Sequence, residues 1–271
     1  MTVNEESPEF ITALARGLQV IQAFTAEQAE MTLSEVAAST GLSPGTARRC
    51  LLTLQALGFV GSVGRRFVLR PKILSLGSAF LTSMDIKGVA QPYLQDLVDE
   101  FHDSASLAVL DDFDVIYVAL VASAKKKGFR AAVGYHTPAY ATSVGHVLLA
   151  NLPAAQLQTY LAKGPFLKYT PKTYGDPKAL AAALDEVRLQ GFAKIEDQFE
   201  YGVLAVAVPV TDSQGHVIAA VNCSSEDGMV DMDTLVRTRV PRLRETARLI
   251  SSALERRPAL IHSILSSGIQ K

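Results

Sequence analysis

The sequence predicts an α+β protein in two parts: a small N-terminal winged helix-turn-helix and a larger C-terminal domain around an antiparallel sheet. Three observations carry this. Charge is segregated, with six basic and no acidic residues from Gly41 to Lys72, then seven acidic and no basic residues from Gly88 to Ala124. A glycine turn joins two short helical patterns, and a hairpin pattern follows them. Beyond Leu107, strand-like and helix-like segments alternate.

The elements follow in order. Ile11 to Phe24 places Leu14, Ala15, Leu18 and Ile21 near one face of a helix. Thr32 stands three residues before Glu35, the spacing at which hydroxyl and carboxylate each satisfy a terminal backbone N–H. That helix runs to Thr40 and stops at Gly41, which tolerates a left-handed turn. Ser43 caps the next helix, with Pro44 at its first position, and this helix runs to about Leu57. FVGSVGRRFVL then reads as two β-prone runs flanking a Gly-Arg turn. From Pro71 onward Ile73, Leu76, Phe80 and Met84 recur at helical spacing, and Ile86 to His102 forms another amphipathic pattern.

In the second part, Leu107 to Val121 predicts two strands around Asp111-Asp112-Phe113-Asp114, and Phe129 to Val133 a third. Tyr140 to Asn151 and Asp176 to Gln190 read as helices. Phe192 to Ile195, Val203 to Val210 and Val217 to Cys223 read as strands. The stripe Val236, Val240, Leu243, Ala247, Ile250 and Leu254 predicts a long closing helix.

Bulk properties narrow the class. The 271 residues suit two domains, and 48% hydrophobic with 20% charged residues excludes disorder. The net charge of −1 advertises no nucleic-acid partner, so the local basic cluster has to carry that case. The acidic start MTVNEESPEF is no signal peptide, and the apolar run Val203 to Val210 is too short to span a bilayer. A cytoplasmic protein without membrane contact is expected. Cys50 and Cys223 fit no metal-ligand spacing and are expected as reduced thiols.

The helix-turn-helix is tested by the positions that must be buried where its helices cross. These hold Val36, Ala37, Thr40, Leu42, Ala47 and Cys50, all apolar or small. The second helix leaves short or basic groups on its outer side: Ser43, Gly45, Thr46, Arg48, Arg49 and Thr53. A helix entering the major groove presents such groups to base edges. Arg65 and Arg66 at the hairpin tip are expected to reach phosphates or the minor groove. Double-stranded operator DNA is the partner this predicts. One such module reads too little sequence alone, so a homo-oligomer is expected.

The stretch MTLSEVAASTGLSPGTARRCLLTLQALGFV with GRRFVLRPKILSLG resembles the IclR family of bacterial transcription regulators. Upstream ARGLQVIQAF and downstream AQPYLQDL, VIYVA, PAYATSVGHVLLA, GFAKIEDQFEYGVLAVAVPV and IAAVNCS extend the resemblance over nearly the whole chain. It looks most like the branch controlling catabolism of aromatic acids such as protocatechuate and 4-hydroxybenzoate. The resemblance implies a GAF-like effector domain, dimers or dimers of dimers, a small organic acid effector, and RNA polymerase as a partner if the chain activates. It carries effector contacts to Ser143, Val144, Glu196, Ala205, Asn222 and Ser224. The expected boundaries are 1–9 for a disordered tail, 10–70 for the winged helix-turn-helix, 71–84 for a linker helix, 85–257 for the effector domain and 258–271 for a tail. His146 stands where the branch usually has Lys or Arg, Leu120 and His136 where it usually has Arg, and Gln198 where Glu is frequent.

The residues alone leave a pocket and simple structural roles both open, and the resemblance favours the pocket. Hydroxyls and helix-start N–H groups near Ser143 suit a carboxylate, though simple capping explains them too. Asn222 and Ser224 share one face of a strand. Ser143 and His146 at i, i+3 suggest a nucleophile and base, but no G-x-S-x-G elbow or orienting acid accompanies them. His136 and His146 lack a third metal ligand by spacing. No catalytic residue, cofactor or metal is therefore expected. Lys125-Lys126-Lys127 reads as a solvated loop. The alternative is a C-terminal domain that only oligomerises, or that senses a non-aromatic metabolite.

Overall fold

The computed structural model describes residues 7–25, 28–123, 132–226 and 228–265. The chain divides into two compact units, Met1–Phe80 and Leu81–Lys271.

The first unit follows its local signals closely. Helix α1 (Thr12–Gln22) is followed by strand β1 (Glu30–Thr32) and helix α2 (Leu33–Thr40). Both halves of the Thr32–Glu35 capping box form, with the Thr32 N–H on Glu35 Oε2 at 2.7 Å. Gly41 closes α2 at φ +65°, a conformation that favours glycine. Ser43 Oγ accepts from the Thr46 N–H and starts helix α3 (Pro44–Ala56). Strands β2 (Val60–Val63) and β3 (Arg66–Leu69) form the hairpin, turning at Gly64 with φ +60°. β1 pairs with the outer edge of β3, so the wing is a three-stranded sheet in the order β1-β3-β2. Val20, Met31, Val36, Ala37, Ala47, Leu51, Leu54 and Val60 make the core.

A 3₁₀ turn (Pro71–Ile73) precedes helix α4 (Leu74–Met84), so the linker is regular α-helix only from Leu74.

The second unit is a six-stranded antiparallel sheet. Helix α5 (Ile86–Phe101) leads into strands β4 (Ser104–Asp111), β5 (Asp114–Val121) and β6 (His136–Pro138). Helices α6 (Ser143–Ala150), α7 (Ala154–Leu161) and α8 (Pro177–Gln190) follow, then strands β7 (Ala193–Glu196), β8 (Val203–Thr211) and β9 (Val217–Glu226). Helices α9 (Met232–Glu255) and α10 (Pro258–Leu265) end the described chain. The strand order is β6-β5-β4-β9-β8-β7. Alternation along each strand sends Cys223, Val206 and Ala105 to one face and Asn222, Ala207 and Ser106 to the other. Helices α5 and α9 pack on the sheet, as does α6, which also carries α8.

Several expectations shift. The helix expected from Tyr140 starts only at Ser143, because Ala139–Ala141 is a 3₁₀ turn and Thr142 is extended at φ −127°, ψ 150°. Helix α7 was not anticipated, although Leu157 and Tyr160 are buried at helical spacing. Most of the strand expected over Phe129–Val133 lies outside the described residues, as does the lysine run 125–127. The strand that pairs with β5 is β6, at His136–Pro138. Most of the expected N-terminal tail, residues 1–6, and residues 266–271 of the C-terminal one also lie outside. No described helix is long and apolar enough to cross a membrane.

Candidate DNA-binding surface and effector cavity

In the first unit the burial of α3 divides its two sides. Ala47, Leu51 and Leu54 face the core, while Ser43, Gly45, Arg48, Arg49 and Thr53 are exposed and Thr46 is half-buried. The polar groups at the helix start are mutually held. Ser43 Oγ and Thr46 Oγ1 lie 2.9 Å apart, and Thr53 Oγ1 donates to the Arg49 carbonyl at 2.9 Å. These bonds fix the polar side of α3 and leave the arginine heads in solvent.

The two wing arginines differ. Arg65 is exposed at the tip. Arg66 instead donates to the Glu30 carbonyl at 3.0 Å and pairs with Glu35 at 3.5 Å. It ties the hairpin to the capping box of α2, a task that strand pairing between β1 and β3 makes possible and sequence spacing did not reveal.

In the second unit, a cavity of about 760 Å³, its open mouth included, lies on the α6 side of the sheet. Register builds its floor. Ser106 pairs with Leu120 on β5 and with Asn222 on β9. One row along, Ser104 pairs with Ser224, and Ser224 with Ala205, which pairs with Ile195. Side chains at paired positions share a face, so these rows set four polar groups (Ser104, Ser106, Asn222, Ser224) between apolar flanks. A bulge in β5 opposite Leu107 and Ala108 puts Tyr117 on the same face as Leu120. Thr137, Thr142 and Ser143 complete the wall, with Gln198, Phe199 and Glu200 at the loop before β8.

The polar groups are partly spoken for. Ser106 Oγ donates to Asn222 Oδ1 at 2.5 Å, and Asn222 Nδ2 reaches Ser143 Oγ at 3.5 Å. Thr142 Oγ1 accepts from the Gly145 N–H at 3.1 Å, capping α6. The first N–H groups of a helix have no intrahelical acceptor, and those of α6 begin at the cavity wall. Gly145 lets α6 start this close to the preceding turn: a Cβ there would sit 2.0 Å from the Ala139 carbonyl oxygen.

Four of the six expected effector residues, Ser143, Ala205, Asn222 and Ser224, line this one cavity. Val144 is fully buried in the core beside it. Glu196 does not join it. On β7, Ala193 and Ile195 point inward, so alternation turns Glu196 outward, where it pairs with Lys172. Sequence reasoning missed Ser104, Ser106 and Thr137. The alternation Ser104-Ala-Ser106 matches that of Asn222-Cys-Ser224, a signal available before the strands are paired.

Cations are scarce here. Among the described lining residues the one charged group is Glu200. Leu120 and Gln198 line the cavity, whereas His146 is buried. His146 Nε2 donates to the Tyr140 carbonyl at 2.7 Å, and burial pulls its pKa from 6.5 down to about 4. At neutral pH it is an uncharged imidazole. No group of three or more His, Cys, Asp or Glu among the described residues is placed to hold a metal.

Comparison with known proteins agrees with both units. Residues 13–64 match the IclR helix-turn-helix domain, and residues 78–252 match the C-terminal domain of bacterial transcriptional regulator IclR. The Pca regulon regulatory protein of Pseudomonas putida is 38% identical over 242 residues, covering 89% of this chain and 83% of that protein. The p-hydroxybenzoate hydroxylase transcriptional activator of Acinetobacter baylyi is 33% identical, covering 88% and 90%. The crystal structure of an IclR homolog complexed with 4-hydroxybenzoate, from Microbacterium hydrocarbonoxydans, superposes with a TM-score of 0.73 at 25% identity, covering 90% of this chain and 99% of that one. A winged helix-turn-helix with a basic outer helix, followed by an antiparallel α+β domain holding a polar-floored cavity, thus has its full-length counterparts among DNA-binding regulators, and the chain belongs to the IclR family of bacterial transcriptional regulators.

Proposed function

We propose that this regulator binds operator DNA through α3 and the wing, and that a small aromatic acid in the C-terminal cavity controls that binding or the activation that follows. The observation that carries the effector half is the polar floor Ser106–Asn222 beside the start of α6, in a cavity flanked by Leu120, Ile195, Phe199, Val203 and Ala205. A few convergent polar groups in an apolar cleft are what a small ligand requires. The helix start supplies oriented N–H groups for an acid. The regulators named above, and the homolog that holds 4-hydroxybenzoate, support the aromatic class.

On the DNA side, Arg48 and Arg49 read bases with Gly45, Thr46 and Thr53 close to the groove, Ser43 holds the helix start, and Arg65 meets the backbone. Half-site reading calls for a homo-oligomer, a dimer or a dimer of dimers, and activation would add RNA polymerase as a partner. The chain is no enzyme and works in the cytoplasm. The divisions 10–70, 71–84 and 85–257 belong to the same proposal, with a flanking tail at 1–9; of the expected tail 258–271, residues Pro258–Leu265 form helix α10, which packs on α9 and β9.

The scarcity of cations among the described lining residues favours one second reading, in which the cavity senses a non-aromatic, uncharged metabolite. A thermal-denaturation panel of benzoate, 4-hydroxybenzoate, protocatechuate and neutral sugars separates the two. An aromatic acid should raise the midpoint in proportion to ln(1 + [L]/Kd) and change operator retention in a gel. Response to a neutral compound alone would replace the first reading by the second. A cavity that responds to nothing while the chain still binds operator would leave the second domain as an oligomerisation module.

A further inference from the structure

The cavity wall holds one polar group with no hydrogen-bond partner among the described residues. It is the Oγ1 of Thr137, a residue 1% exposed. Every other fully buried polar side-chain atom described has one. A buried hydroxyl without a partner is costly, and an apolar residue of the same shape would remove that cost. Position in the fold shows which face of the sheet the side chain occupies. Thr137 pairs with Val115 on β5, whose side chain shares the inner face with Tyr117, and both Thr137 and Tyr117 line the cavity. The Tyr117 phenol is close enough that Thr137 offsets part of the upward push that burial gives it, yet the two hydroxyls do not reach bonding geometry.

We propose that Thr137 is the specificity-determining residue of this cavity, and that it reads a ring hydroxyl on the aromatic acid. This assignment rests on the effector reading given above. The division of labour follows from donor chemistry. A carboxylate needs several donors and no acceptor, which the start of α6 with Ser143 provides. A threonine hydroxyl offers one donor and two lone pairs, matching a ligand hydroxyl that both gives and takes a hydrogen bond. A site built to bond a hydroxyl discriminates against the analogue that lacks it, because its own polar group is then left unpaired.

The test uses the full chain, with titration calorimetry of 4-hydroxybenzoate, 3-hydroxybenzoate and benzoate against wild type, Thr137→Val and Thr137→Ser. Wild type should prefer at least one hydroxylated acid over benzoate. Thr137→Val should weaken that acid by about fivefold to twentyfold, the worth of one buried hydrogen bond, and leave benzoate unchanged. Thr137→Ser keeps the hydroxyl and should keep the preference. Unliganded Thr137→Val should melt no lower than wild type, which separates recognition from a structural role. A wild-type ratio retained in Thr137→Val, or equal binding of all three acids by wild type, overturns Thr137 while leaving the cavity as the effector site. Failure of all three acids to bind wild type removes the effector reading itself, and this assignment with it.

Discussion

Ser106 on β4 and Asn222 on β9 are register partners, and the Ser106 hydroxyl gives its proton to Asn222 Oδ1 at 2.5 Å inside an apolar sheet. Both side chains are buried, at 5% and 7% exposure. Without Asn222 the Ser106 hydroxyl would be a desolvated polar group at a cost in free energy. Together they form a fixed polar bar across the cavity floor, and Asn222 passes the link on to Ser143 at the start of α6.

Replacing Asn222 by Leu should therefore destabilise the second unit by about 1–3 kcal/mol, because the Ser106 hydroxyl is stranded. Adding Ser106→Ala should recover part of that loss. Urea denaturation of the two singles and the double measures the coupling, and additive effects would show that the pair does not act as a unit.

Gly145→Ala tests how α6 is held. The new methyl would lie 2.0 Å from the Ala139 carbonyl oxygen, a backbone atom with no rotamer to give way. The helix start must shift, at a cost of roughly 1–3 kcal/mol. A lowered melting midpoint together with loss of ligand-induced stabilisation is expected. A normal ligand response in a stable Gly145→Ala variant would detach the start of α6 from the site.

The wing arginines should separate experimentally. Arg65→Ala leaves the fold unchanged and lowers the slope of log K against log salt by about one, as loss of one phosphate contact does. Arg66→Ala frees Glu35 and the Glu30 carbonyl, so it should lower the midpoint of the first unit. Thr32, and secondarily Arg66, hold the Glu35 carboxyl below its ordinary value. A depressed carboxylate contributes stability above its unfolded pKa, lost as pH falls through the folded one. Arg66→Ala should narrow that acid window. Identical salt slopes for both variants would contradict the division.

Arg49→Ala should weaken operator binding by roughly 1–3 kcal/mol and relax sequence preference, since Arg49 stands exposed on the outer side of α3. Competition between operator and random duplex in gel retardation reads both effects. Operator affinity at the wild-type level would remove α3 from the groove.

These contrasts show what local sequence can encode. The capping box at Thr32 and Glu35, the left-handed Gly41 and the Ser43-Pro44 start are decided within four residues, and each forms as its spacing demands. The face shared by Asn222 and Ser224 follows from strand period alone. Ser104 and Ser106 obey the same period, but their meeting with β9 depends on a pairing 116 residues apart. Arg66 reaches Glu30 and Glu35 only because β1 adds to the wing, and three residues carry too little pattern to announce a strand. Glu196 lies on the outward side of β7, a parity that alternation with the apolar Ile195 already implies, while a family resemblance carries residue roles without strand parity. Thr137 was invisible because an unmet hydrogen bond is a property of surroundings, not of a residue type.

His146 gives the second unit a signature in acid. It is 2% exposed, its Nε2 proton is committed to the Tyr140 carbonyl, and the Tyr174 ring stands 5.7 Å away. Desolvation of the charged form pulls its pKa from 6.5 to about 4, and the Tyr140 bond opposes only part of that. The folded value is depressed, the reverse of a histidine that gains an acidic partner. Above pH 6.5 the imidazole is neutral in both states and full stability is present. Between 6.5 and about 4 the unfolded chain takes up a proton that the folded chain refuses, so stability falls with pH. Below about 4 the folded state protonates too and this loss stops growing, at a total on the order of 3 kcal/mol. Chemical denaturation at a series of pH values should show this slope in wild type and lose it in His146→Leu, which fills the site without titrating. The variant will also start from a lower plateau, because the Tyr140 carbonyl loses its donor. An undiminished slope in His146→Leu would assign the acid sensitivity to the carboxylates instead.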